Sequence, residues 1–207
     1  MLNTAKLDDW YEKLCKDCDG VGSQEETIEK AASLSYRASV LRALSEDGVR
    51  VGFKGKINEK NASRAAGEDY IKEFLRNALA LSDEEELFSL IHTAWDDIRD
   101  IYHRNEISWY TYGNAQKWIA MAMKYYFVIA FKHGLVTDRH LFVKCTFPVD
   151  SVMTNHVYSD FGIVGVTPSW SQGDSKSQFV NYVQAVKTAV ESRGDKLLAY
   201  EIGKWQN

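Results

Sequence analysis

Lys117 and Asp150 are the residues of this chain whose types and settings suit chemistry. Lys117 stands in the first turn of an apolar run, "GNAQKWIAMAMKYYFVIAF" (residues 113–131). A helix that is hydrophobic on nearly every side belongs at the centre of a domain, so its polar exceptions need partners. Lys124 is the second exception, seven residues on and therefore two turns away on the same face. Asp150 follows Pro148 in "FPVDSVMTNHV". Proline sets the chain just before it, and aspartate is a strong helix cap, so the carboxylate should sit at a helix N-terminus with amide dipoles favouring its charge. A lysine in apolar surroundings loses hydration, which favours the nucleophilic amine. Such an amine opposite a dipole-held carboxylate suits reaction at a sugar carbon: the carboxylate stabilises an oxocarbenium-like centre, and the amine or a water attacks it. Lys124 is expected to pair with a buried acid or to line the floor of the same pocket.

The elements that must place these groups read as helices throughout. Apolar residues recur at three- and four-residue spacing over 5–18 and 24–46, the second behind a Ser23 cap with Glu26 at the capping-box position. A Gly-rich basic loop over 48–60 follows, with a short β-hairpin near 49–56. Asn61 or Ser63 starts a helix to about Leu81, and Ser82 caps "DEEELFSLIHTAWDDIRDIYHR", whose first-turn acids favour a helix start. A turn over 105–113 leads to the apolar helix, 114–132. Then come a short helix from Thr137, a helix from Asp150 or Ser151 to about Phe161, the loop "GVTPSWSQGD", and helices over 175–192 and 196–205. The expected fold is all-α, a single domain spanning 1–207 with about eight or nine helices around 114–132.

Composition is that of an ordinary globular protein: 45% apolar, 26% charged, net charge −4. No stretch reaches the roughly 18 uncharged apolar residues of a membrane span, and the opening "MLNTAKLDDWYEKL" lacks a signal-peptide core, so a cytoplasmic protein without a membrane partner is expected. Three cysteines, an odd number, fit a reducing compartment. The charge is uneven: Arg50, Lys54, Lys56, Lys60 and Arg64 face the single acid Glu59 in one short stretch, a basic loop able to meet phosphates.

"AQKWIAMAMKYY" followed by "FPVDSVM", with 33 positions between Lys117 and Asp150, resembles the catalytic region of helix-hairpin-helix DNA glycosylases, closest to the archaeal 8-oxoguanine branch. The resemblance covers about residues 85–165. It implies Lys117 as the Schiff-base lysine, Asp150 as the catalytic aspartate, and "NEISWYTYGN" in the hairpin position. The usual hairpin L-P-G-V-G is absent, Gly113 lies four residues before the lysine where the family has two, and no four-cysteine cluster motif is present. A glycosylase flips its target base into a pocket and holds it by stacking and edge contacts. Trp109, Tyr110 and Tyr112 are then candidates for stacking, and Gln116, Lys124, Asn155 and His156 for reading the base. Backbone amides around Gly113 and Asn114, with the basic loop, would hold the DNA backbone. The implied partner is double-stranded DNA carrying a damaged or modified base, bound by a monomer without cofactor.

Weaker signals give other readings. Cys15 and Cys18 form half a zinc site, which Cys145 with His133 or His140 would have to complete, and no metal is expected. "RDIYH", Arg99 to His103, is similar to the Arg…His motif of all-helical HEPN ribonucleases, with a gap one residue shorter; at i and i+4 the two share a helix face. A non-enzymatic helical interaction module, such as a subunit of a defence system, is the third alternative, and it calls for a large exposed apolar patch.

Overall fold

In the computed structural model, residues 4–15, 18, 20–41 and 57–204 are described. Among them the chain is all-α, with nine helices and no strand. We number them α1 (Thr4–Leu14), α2 (Gln24–Tyr36), α3 (Ile57–Leu79), α4 (Glu84–Arg104), α5 (Tyr112–Lys132), α6 (Phe142–Cys145), α7 (Ser151–Phe161), α8 (Lys176–Ser192) and α9 (Leu197–Lys204); α2 continues as a π-helical turn over Arg37–Leu41. The expected hairpin near 49–56, with Arg50, Lys54 and Lys56, lies outside the described residues. No described helix is long and apolar enough to cross a membrane.

The apolar helix is the hub. Every residue of α5 from Gly113 to Ala130 is buried, packed chiefly by α2 and α4 and also by α1, α3, α6 and α8. Its Trp118 fills the space between α2 and α3. The indole N–H donates to Ser35 Oγ at 3.1 Å, and a Cβ on Gly67 of α3 would lie 2.4 Å from the ring. Only glycine lets α3 come that close.

Side-chain caps set four of the helix starts. Ser23 and Glu26 form the expected capping box of α2. The cap of α4 is Asp83, one residue beyond the expected Ser82: its carboxylate takes the N–H groups of both Glu85 and Glu86. Thr111 caps α5 through Asn114 N–H, so the helix begins at Tyr112, two residues earlier than the periodicity predicts. Helix α3 likewise begins earlier than Asn61 or Ser63. In place of a helix from Thr137 there is a turn, in which Arg139 N–H donates to Thr137 Oγ1 and Phe142 N–H to His140 Nδ1, and only the short α6 follows.

Candidate active site

Gln116 is the joint that brings Lys117 and Asp150 together. It lies on the first turn of α5, 1% exposed, with its side-chain amide against the extended segment before α7. Its Nε2 donates to Val149 O (2.8 Å) and Gly113 O (3.0 Å), and Oε1 accepts Val149 N–H (3.1 Å). One side chain thus satisfies both polar groups of a buried residue, which would be costly to leave unpaired. The next residue is Asp150. It caps α7 by accepting Met153 N–H at 3.0 Å through Oδ1. Its other oxygen, Oδ2, lies 3.1 Å from Lys117 Nζ, with side-chain exposures of 10% for the lysine and 21% for the aspartate. The Lys117 ammonium also lies over the Trp170 ring, 4.3 Å from its centre. The carboxylate opposite the amine is as the sequence suggests; the indole against it is not.

Beneath this pair lies a second. Lys124 Nζ meets Glu201 Oε1 at 2.5 Å, both side chains all but excluded from solvent, with the ammonium 4.5 Å from the centre of the Trp10 ring. This is the buried acid expected for Lys124. Burial pushes the Glu201 carboxyl above the usual range, opposed by the charge of Lys124. Its second oxygen is buried without a hydrogen-bond partner, as is the hydroxyl of Tyr182. The Tyr182 hydroxyl is pushed up by burial and then by the charge of Asp150, which places it in the electrostatic neighbourhood of the site.

The hairpin reading is corrected here. Tyr110 is buried and stacked on Tyr102 with ring centres 3.8 Å apart, so it is core and cannot wedge into DNA. Trp109 is half-buried against the core. The Tyr112 hydroxyl donates to Asp96 at 2.9 Å, and its ring carries the Arg99 guanidinium. The amides expected to grip a phosphate are already taken: Tyr112 N–H by Asp174 Oδ1, Gly113 N–H by Gly173 O, and Asn114 N–H by Thr111 Oγ1. A Cβ on Gly113 would lie 1.5 Å from Trp170 O, so the glycine is required by close packing of segment 169–174. Gln116 spends its amide on backbone and has none left for a base. Asn155 is exposed and His156 partly exposed on α7. In the basic stretch, Arg64 pairs with Glu68 at 2.8 Å and lies over the Tyr36 ring, while Lys60 is partly exposed.

The remaining signals resolve structurally. Arg99 makes two hydrogen bonds to Asp174, 3.0 and 2.8 Å, and His103 Nε2 is 2.9 Å from Tyr110 O. Both residues of the ribonuclease-like motif therefore brace the start of α5. Cys15, Cys18 and Cys145 are buried thiols. The Cys15 thiol is raised by its hydrogen bond to Cys18 and by burial, and burial pushes Cys145 up to about 12, so neither is a ready thiolate. No group of metal-ligating side chains occurs among the described residues. Trp170, Tyr182 and Glu201 escape sequence reasoning, and only the lone tryptophan in the polar loop "GVTPSWSQGD" hints at a role. Compared with known proteins, the chain matches no family model, no curated protein and no solved structure.

Proposed function

We propose that the chain is a DNA N-glycosylase, divergent within the helix-hairpin-helix group, that excises a damaged or modified base from double-stranded DNA as a monomer. The observation that supports the reading is the 3.1 Å contact between Lys117 Nζ and Asp150 Oδ2, made by two residues far apart in sequence and withdrawn together from solvent. Catalytic groups must reach a common reacting atom, and these two can.

The chemistry follows from the pair. With Asp150 ionised, its carboxylate stabilises positive charge developing at C1′ as the glycosidic bond lengthens. The Lys117 ammonium gives a proton to the departing base, and the resulting amine adds to C1′. Ring opening then moves one nitrogen proton to the ring oxygen and leaves an iminium. Loss of a C2′ proton expels the 3′ phosphate and cuts the strand, and water releases the lysine. If water takes the place of the amine at C1′, the product is an abasic site.

The test uses three duplexes: oxidised DNA, phage DNA with bulky modified cytosines, and unmodified DNA. Borohydride traps an iminium, and alkali reveals abasic sites. A trapped complex lost in Lys117→Ala establishes a lyase and names its nucleophile. Alkali-labile sites without trapping, lost in Asp150→Asn, establish a monofunctional glycosylase. The modified-cytosine arm tests an antiviral role. Silence on all three duplexes refutes these substrates and moves the weight to a helical interaction module.

A further inference from the structure

Lys117 is covered as well as paired. Reaction at a sugar carbon needs that atom within roughly 3–3.5 Å of the amine. The Trp170 ring centre already sits 4.3 Å from Nζ, and Asp150 Oδ2 takes a second direction at 3.1 Å. No carbon fits between the ring and the amine. A substrate that reaches Nζ from the face the ring covers must displace the indole.

What keeps it there is a short segment laid across the start of α5. Ser171 O accepts from Thr111 Oγ1 (3.1 Å), Gly173 O from Gly113 N–H (3.1 Å), and Asp174 Oδ1 from Tyr112 N–H (3.3 Å). These are single contacts to α5 and its cap. The segment's ion-paired fastening is the two-point bond from Arg99 to Asp174, whose side chains are 22% and 48% exposed. We propose that residues 169–174 are a latched cover over Lys117, with Trp170 as the blocking group and the Arg99–Asp174 pair as the latch. The proposal deepens the reading of Lys117 as the reacting group and gives Arg99 a role there as a positioning residue. Removing the charge of Asp174 weakens the Arg99 pair and the Tyr112 contact together. A solvent-facing pair is also screened by salt, so ionic strength loosens the cover without any mutation.

The test reads access to Lys117 without DNA. The full chain is treated with formaldehyde and cyanoborohydride, and methylation of Lys117 is followed by mass spectrometry, with the fully buried Lys124 as internal reporter of general loosening. Asp174→Asn should methylate Lys117 about two- to five-fold faster at low salt, the factor a partly exposed ion pair commands. About 1 M salt should accelerate the wild type toward that rate and leave the variant unmoved. Trp170→Ala should be at least as fast as Asp174→Asn at every salt concentration. Equal rates for wild type and Trp170→Ala would overturn the cover. Equal rates for wild type and Asp174→Asn, or an acceleration matched at Lys124, would overturn the latch. A protein that proves inactive on DNA keeps the same labelling rates, so the two readings fail separately.

Discussion

Replacing Gln116 with alanine strands Val149. The side chain supplies the acceptor for Val149 N–H and a donor for Val149 O, and that residue is wholly buried. A buried polar group left unpaired costs about 1–3 kcal/mol. Two such groups, partly relieved by relaxation, put Gln116→Ala at roughly 2–4 kcal/mol of lost stability. Gln116→Glu is the sharper probe. Its carboxylate still accepts Val149 N–H, but it can donate to Val149 O only when protonated, and burial favours the protonated form. The introduced carboxyl therefore has a folded pKa raised above its unfolded value of about 4.3. Its contribution is fully present below that value and is lost as pH rises through the folded pKa. Relative to wild type, Gln116→Glu should be nearly neutral at about pH 4.3, then fall by up to about 1.4 kcal/mol per pH unit until the carboxyl ionises. Urea unfolding followed by tryptophan fluorescence, repeated from acid to mildly alkaline pH, gives the difference directly. A pH-independent difference for Gln116→Glu, or a loss below about 1 kcal/mol for Gln116→Ala, would refute the clamp.

The buried pair beneath the site makes a second prediction. Lys124→Met and Glu201→Gln each leave a lone buried charge and should cost about 3–5 kcal/mol. The double variant should cost less than their sum by about 2 kcal/mol; strictly additive losses in denaturant unfolding would mean the two do not act as a pair. Two histidines predict acid sensitivity. Burial, aided at His92 by Lys176, holds His92 and His140 below their ordinary range, so the fold keeps them neutral. Their contribution is complete above about pH 6.5 and is lost as pH falls through the depressed folded values, because the unfolded chain takes protons first. His92→Gln with His140→Gln should flatten that limb of the stability profile, and an unchanged limb would assign it to other groups.

Much of the site is legible along the chain because its determinants are local. The periodicity of α5, the Ser23–Glu26 box and the Pro148–Asp150 cap each act within a few residues, and each appears in the structure, α5 starting two residues early. The pairing of Lys117 with Asp150 was readable for a related reason: a lysine forced into an apolar helix needs a counter-charge, and a capping aspartate offers one. What stayed hidden depends on distant packing. Trp170 reaches Lys117 only because the 169–174 segment folds back over α5, which no local pattern encodes. Glu201 resembles any glutamate of a short helix until α9 is docked. The aromatic turn misled because tyrosines in a polar stretch look available, whereas Tyr110 is drawn inward by stacking on Tyr102. Asp83 rather than Ser82 caps α4 because its carboxylate takes two amide N–H groups, a detail of side-chain reach that the sequence does not show.

The partner of Lys124 lies 77 residues further along, in the last described helix, which also meets the first through Lys6 Nζ and Gly203 O. A growing chain therefore reaches the ribosome exit with the hub helix made but its deeper ammonium unanswered. At synthesis rates of about 5–20 residues per second, that condition lasts roughly 4–15 s. Until Glu201 is made, burying α5 means burying a bare charge, so the hub has reason to stay loosely packed and the Lys117–Asp150 site unformed. The amine set against Asp150 is thus completed only after the residue that answers the deeper charge, 77 positions beyond Lys124, has been made.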